Sequence, residues 1–135
     1  MPTVALCSIC AMDRSLADAT ALAARCGADG IEVTARAPHL DAGADLDEVK
    51  LAADRIRGAG LEVTAYGSYL SYTDPDYEAQ VAREVERAAA LETKLLRVWA
   101  GHPEGADDAV RGDVVAMLRA AGRAAEPEGI RIVVD

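Results

Sequence analysis

The sequence predicts an α/β fold: a parallel (β/α) half-barrel of about five strands and four helices, in one domain over residues 1–135. Three observations predict it. Short β-type runs alternate with longer helical runs. Strand starts recur about every 27 to 35 residues, the size of one βα unit, which implies parallel strands joined by right-handed crossovers. And four of the strands are aliphatic on one face and polar on the other. Helices on both sides of an open, doubly wound sheet would ask for near-continuous apolar strands, so the one-sided pattern favours a barrel whose lumen is polar.

The elements follow in order. Val4 to Cys10 reads as the first strand. Ser15 stands where an N-cap should, ahead of Leu16, Ala19, Leu22, Ala23 and Cys26 at helical spacing, and Gly27 stops the run. Ile31 to Ala35 is the second strand, with Ile31 and Val33 opposed to Glu32 and Thr34. A loop from Arg36 to Asp45 precedes a helix that ends at Gly58 and Gly60. Leu61 to Tyr66 is the third strand, with Leu61, Val63 and Ala65 opposed to Glu62, Thr64 and Tyr66. A helix from about Asp76 to Leu91, a strand from Leu95 to Ala100, a helix from about Ala109 to Ala125 and a strand from Ile130 to Val134 complete the chain. The fourth strand sets Leu96 and Val98 against Arg97 and Trp99, and the fifth sets Ile130, Ile132 and Val134 against Arg131, Val133 and Asp135.

Composition narrows the function classes. A net charge of -9 argues against a nucleic-acid surface, which needs clustered Lys and Arg. No stretch approaches the ~20 apolar residues of a membrane span, and the N-terminus lacks the pattern of a signal peptide. Three cysteines at no framework spacing are expected to be reduced thiols in a cytoplasm. Cys7 and Cys10 form a C-x-x-C, but a strand would send them to opposite faces, which speaks against redox chemistry. No glycine-rich nucleotide motif follows a strand. The acidic runs from Asp41 to Glu48 and Glu104 to Asp108 read as helix caps and loops rather than cation sites.

Four phrases in order, Gly27-Ala28-Asp29-Gly30-Ile31-Glu32, Gly60-Leu61-Glu62-Val63, Leu96-Arg97-Val98-Trp99-Ala100-Gly101 and Gly129-Ile130-Arg131-Ile132-Val133-Val134-Asp135, resemble the strand lead-ins of the xylose-isomerase-like superfamily of sugar phosphate isomerases and epimerases. The resemblance covers essentially the whole chain and implies the N-terminal half of a TIM barrel. It implies a parent enzyme with one divalent metal (Mn, Mg, Co or Zn), acting on a small sugar-like substrate by proton transfer beside a carbonyl. Family metal ligands lie on strands five to eight, so only Asp135 falls at a ligand position here, where the family has Glu. The resemblance therefore implies a chain that neither binds the metal nor turns over substrate alone. It also points to His39 and His102, in loops after strands two and four, as substrate-side groups.

Tyr66, Tyr69 and Tyr72 flanking the end of strand three, with Trp99 on strand four, are few enough aromatics to suggest a wall against a sugar ring. The substrate-side set is thus His39, Tyr66, Trp99 and His102. Glu32 and Arg97 are expected as an inward ion pair. The first and fifth strands read as open edges, which soluble proteins usually cover. Two explanations stand: a truncated enzyme, or a stand-alone structural or binding module that forms a homodimer or larger oligomer through those edges.

Overall fold

A computed structural model describes residues 3–100 and 107–135. Five strands, β1 (Ala5–Cys7), β2 (Gly30–Thr34), β3 (Glu62–Gly67), β4 (Leu95–Val98) and β5 (Arg131–Val134), form one parallel sheet in the order β1-β2-β3-β4-β5. Four helices, α1 (Leu16–Arg25), α2 (Leu46–Gly58), α3 (Tyr77–Ala90) and α4 (Asp108–Ala125), follow the first four strands. An open doubly wound sheet reverses its strand order at a switch point. Here every strand lies beside its sequence neighbours, the order of a barrel. The architecture is the half-barrel the sequence predicts.

Local chemistry explains the helix starts. The Ser15 hydroxyl accepts from the Asp18 backbone N–H, and Asp45 caps α2 in a reciprocal box with Glu48. Asp107 accepts from the Val110 N–H at the start of α4. The acidic runs are therefore caps where they are described.

The core lies between the sheet and its helices. Ile31 and Val33 of β2 and Leu96 and Val98 of β4 are fully buried on that side, under Ala19, Val49, Ile56, Val81 and Met117 of the helices. Each such aliphatic side chain is worth about 1.5–3 kcal/mol on full burial. The edges are different: Val4 beside β1 is 61% exposed and Val134 on β5 is 51% exposed.

Two strand expectations need correction. The first strand stops at Cys7, and Ser8–Ala11 turns into a 3₁₀ helix. The buried Ser8 hydroxyl causes the turn to be useful, because it accepts from the Thr34 N–H at 2.9 Å and ties the turn to β2. Cys7 and Cys10 thus do not sit on opposite faces of one strand. In β3, the register to β2 shifts between Ile31 and Glu32, so that Val63 pairs Ile31 but Ala65 pairs Glu32. Thr64 is the extra residue of a bulge. Beyond it the alternation flips, and Tyr66 joins the helix-facing side with Val33 while Gly67 joins the lumen side with Thr34.

Candidate functional site

The lumen face at the C-terminal ends of the strands gathers Cys7, Glu32, Thr34, Gly67, Arg97, Trp99 and Asp135. Their centre is Arg97 on β4. Its Nε donates to Glu32 Oε1 of β2 at 2.7 Å, and its Nη1 donates to Asp135 Oδ2, just past β5, also at 2.7 Å. The expected Glu32–Arg97 pair is present, with Asp135 as a third member.

One strand between them must yield space. A Cβ on Gly67 of β3 would lie 2.6 Å from Arg97 Nη2 and 2.8 Å from Glu32 Oε1, so the absence of a side chain there lets the pair span β3. Burial acts to lower the Arg97 pKa, but the bonds and charges of Glu32 and Asp135 outweigh it and raise it. Burial also pushes the Cys7 thiol up; a backbone hydrogen bond at Ile9 opposes the rise and the Glu32 carboxylate adds to it. A protonated thiol is a poor nucleophile, and burial outweighs the lowering by the Ile9 backbone and the Arg97 charge.

Aromatic groups complete one side. Trp99 stacks on Tyr69 with ring centroids 6.3 Å apart and planes 14° from parallel, and the Arg97 guanidinium carbon lies 5.9 Å from the Trp99 ring centroid. Of the expected aromatic wall, Tyr69 and Trp99 meet.

Tyr66 does not join them. It is fully buried on the helix side, and its hydroxyl donates to Glu84 Oε2 of α3 at 2.6 Å. Burial, then the Glu84 charge, push its phenol well above the ordinary tyrosine range, with Arg87 acting against them. The unfolded chain releases this proton near pH ~10, whereas the folded chain keeps it. Stability from this group is therefore full below pH ~10 and falls as pH rises, by up to about 1.4 kcal/mol per unit. Tyr66→Phe is expected to cost about 1–2 kcal/mol at pH 7, by leaving a buried carboxylate oxygen without a donor, and to flatten that alkaline decline. Urea unfolding at pH 7 to 11 checks both; an unchanged alkaline slope would refute the assignment.

His39 is likewise internal, only 6% exposed. Its Nε2 is 3.0 Å from the Ala11 carbonyl, which can only accept, so Nε2 carries a proton. Its Nδ1 is 3.0 Å from Ser8 Oγ. The ring pins the loop after β2 to the 3₁₀ turn after β1. His102 lies outside the described residues.

A family metal would need carboxylate or imidazole ligands at these strand ends. Asp135 is the one expected ligand, and Arg97 holds its Oδ2. Among the described residues no three His, Cys, Asp or Glu groups gather to hold an ion. A divalent cation beside that guanidinium would be repelled, so the described residues do not fit a metal site by themselves. Ser8 and Thr34 were not singled out in the sequence; their importance rests on contacts about 26 and 31 residues apart, for which short-range spacing carries no signal.

Comparison with known proteins agrees with this geometry. The probable 3-DHS dehydratase AsbF of Bacillus anthracis matches with a TM-score of 0.74 at 17% identity, over 98% of this chain and 52% of that one. D-allulose 3-epimerase from Methylomonas sp. matches with a TM-score of 0.73 at 19% identity, over 98% and 52%. The IolI protein, with a bound zinc atom, matches with a TM-score of 0.77 at 16% identity, over 98% and 51%. At these identities the likeness shows the fold, and the chain spans about half the length of the structures it matches. No curated protein matches the sequence. No described helix is long and apolar enough to cross a membrane. The family model described as xylose isomerase-like TIM barrel matches residues 20–135, the span that carries β2 to β5 and all three members of the Glu32–Arg97–Asp135 cluster. The sequential strand order, the polar lumen and this match lead to one conclusion: the chain belongs to the xylose isomerase-like TIM barrel family.

Proposed function

We propose that this chain is the substrate-side half of a metal-dependent sugar isomerase or epimerase, and that it binds a small sugar-like polyol without turning it over alone. The observation that carries this reading is the Arg97 cluster: two carboxylates on one guanidinium at the C-terminal strand ends, beside the Tyr69–Trp99 stack. A sugar needs such a combination, hydrogen-bonding groups for its hydroxyl edge and an aromatic plate for its C–H face. Barrel enzymes place their sites at this end.

Turnover needs more. Proton transfer beside a carbonyl takes an acid and a base placed about the reacting carbon, with an ion polarising the oxygens. Both carboxylates here are committed to Arg97, and the acid–base pair and the divalent ion (Mn, Mg, Co or Zn) are assigned to strands beyond β5 in a complete barrel. Arg97 then orients a substrate-side carboxylate and excludes water from the Trp99 plate. A second reading, a self-associating α/β module, is supported by the exposed Val4 and Val134 on the two edges.

The test is a ketose incubated with the chain and diamagnetic Mg²⁺ in deuterated water, followed by proton NMR, with the solution mass of the same sample measured by light scattering. Ketose signals should broaden on binding, and no carbon-bound proton should exchange. Exchange catalysed by the chain alone would overturn the assignment of the acid–base pair elsewhere. A particle of twice the 14.1 kDa chain mass that leaves the ketose unperturbed would favour the second reading.

A further inference from the structure

We infer that Cys7 and Cys10 form a reversible dithiol–disulfide site on the 3₁₀ turn after β1, oxidised by a low-molecular-weight disulfide such as glutathione disulfide. The inference is independent of the sugar-site reading.

The C-x-x-C spacing alone carries little; its backbone setting carries the argument. A disulfide needs Cα atoms about 4.4–6.8 Å apart. Across two intervening residues that separation is set by their torsions, and both of them, Ser8 and Ile9, belong to the 3₁₀ helix Ser8–Ala11. Such a helix rises about 2.0 Å per residue and eclipses positions three apart, which puts the two Cα atoms about 6 Å apart on one side of the turn. Cys7 is its N-cap, with φ -78° and ψ 120°. An N-cap in that extended conformation aims its side chain forward over the first turn. The Ile9 N–H accordingly faces the Cys7 sulfur. Cys10 is the third residue of the same turn.

The turn is held in this shape from within the fold. Ser8 is fully buried; its hydroxyl accepts from the Thr34 N–H at 2.9 Å and lies 3.0 Å from His39 Nδ1. Ala11 is 2% exposed, and its carbonyl accepts from His39 Nε2 at 3.0 Å. These anchors fix the backbone on which both cysteines stand. Two groups held together in this way react as one molecule, at high effective concentration.

Exposure assigns the order of attack. Cys10 is exposed, whereas Cys7 is half-buried beside Glu32, its register partner on β2. The Cys10 thiolate attacks one sulfur of the small disulfide. That S–S bond breaks, a mixed disulfide forms on Cys10, and the first small thiolate leaves and takes up the Cys10 proton from solvent. The Cys7 sulfur, as it gives up its own proton, attacks the Cys10 sulfur, and the second small thiol leaves with that proton. Two cysteine thiols thereby lose two electrons and two protons, and one small disulfide gains them. Cys26 is exposed at the C-cap of α1, a ten-residue helix that spans about 15 Å, and so lies away from the turn.

The chain is equilibrated with glutathione buffers of graded ratio, quenched in acid, alkylated, and read by intact mass and by tryptic mapping. The same series is run on the chain unfolded in urea. The folded chain is expected to lose two hydrogens within peptide 1–14, which holds Cys7 and Cys10, while Cys26 is alkylated or carries glutathione. The equilibrium constant for closing the disulfide should be at least about ten-fold larger folded than in urea, because the turn is already shaped. Cys7→Ser should stop at a mixed disulfide on Cys10. Cys10→Ser should slow oxidation of Cys7 at least about ten-fold relative to Cys10 in Cys7→Ser. A closing constant no larger folded than in urea overturns the inference, as does a disulfide that includes Cys26. Glutathione on both Cys7 and Cys10 of one chain, with no link between them, overturns it as well. Equal rates in the two serine variants overturn the order of attack.

Discussion

Gly30→Ala is expected to lower the unfolding free energy by about 3 kcal/mol, one of the two largest single losses in this chain. Gly30 opens β2 opposite the bulged part of β3. A Cβ there would lie 2.6 Å from the Glu62 carbonyl oxygen and 2.5 Å from Thr64 Cγ2. The methyl of Thr64 can rotate away, but the carbonyl belongs to the backbone of the paired strand. Moving it means giving up β2–β3 pairing at its lower end, and the bulge that turns Tyr66 toward α3. The measurement is the urea midpoint with the m-value held constant. Gly58→Ala is the control, because nothing lies within 4 Å of its Cβ and alanine suits the end of a helix. A loss below about 1 kcal/mol in Gly30→Ala would mean the bulge relaxes freely, which the contact with a backbone atom argues against.

Arg87→Met is expected to cost a similar amount, about 3 kcal/mol, or about 10 °C in Tm. Arg87 on α3 is only 3% exposed, and its Nη2 donates to the carbonyls of Ala42 and Ala44 at 2.6 Å each. Its Nη1 lies 3.9 Å from Glu84, itself bonded to Tyr66. Methionine fills much of the volume, so the loss comes from chemistry rather than a cavity. Two carbonyls lose their donor, and a buried carboxylate loses one of its two nearby cations, keeping Arg83 at 3.4 Å. Differential scanning calorimetry of the two proteins at pH 7 gives the comparison. Arg87→Lys should recover only part, because one ammonium cannot reproduce the planar fork. Full recovery by lysine would show that charge alone matters there.

The order of strands and helices was legible because hydrophobic period and helix-stop glycines are local properties. Ser15, Asp45 and the glycines after α1 and α2 mark their elements within a residue or two of where the structure puts them. The lumen pair Glu32 and Arg97 was legible for the same reason, since alternation alone sets each on the polar side of its strand. Alternation fails where the backbone breaks it. Nothing near Thr64 announces an extra residue, because the cause is a packing relation with Gly30, over thirty positions earlier. That one bulge moves Tyr66 from the lumen to the helix layer. Its place in the sequence puts His39 in a loop at the barrel mouth. Its partners Ser8 and Ala11 lie in another βα unit, so burial of the ring is a tertiary outcome that loop composition does not encode. Arg87 was hidden in a helix of ordinary amphipathic pattern; its worth comes from two carbonyls in a loop far back in the chain.

That loop, after β2, is clamped from both sides. His39 holds it to the turn after β1, and Arg87 holds it to α3. Connections at the mouth of a barrel usually carry conformational freedom that a ligand must freeze, at about 0.5–1.5 kcal/mol for each rotamer-rich side chain immobilised. Here that entropy is surrendered when the chain folds. One wall of the mouth is rigid before any ligand arrives, so a ligand of a different shape must fit that wall as it stands.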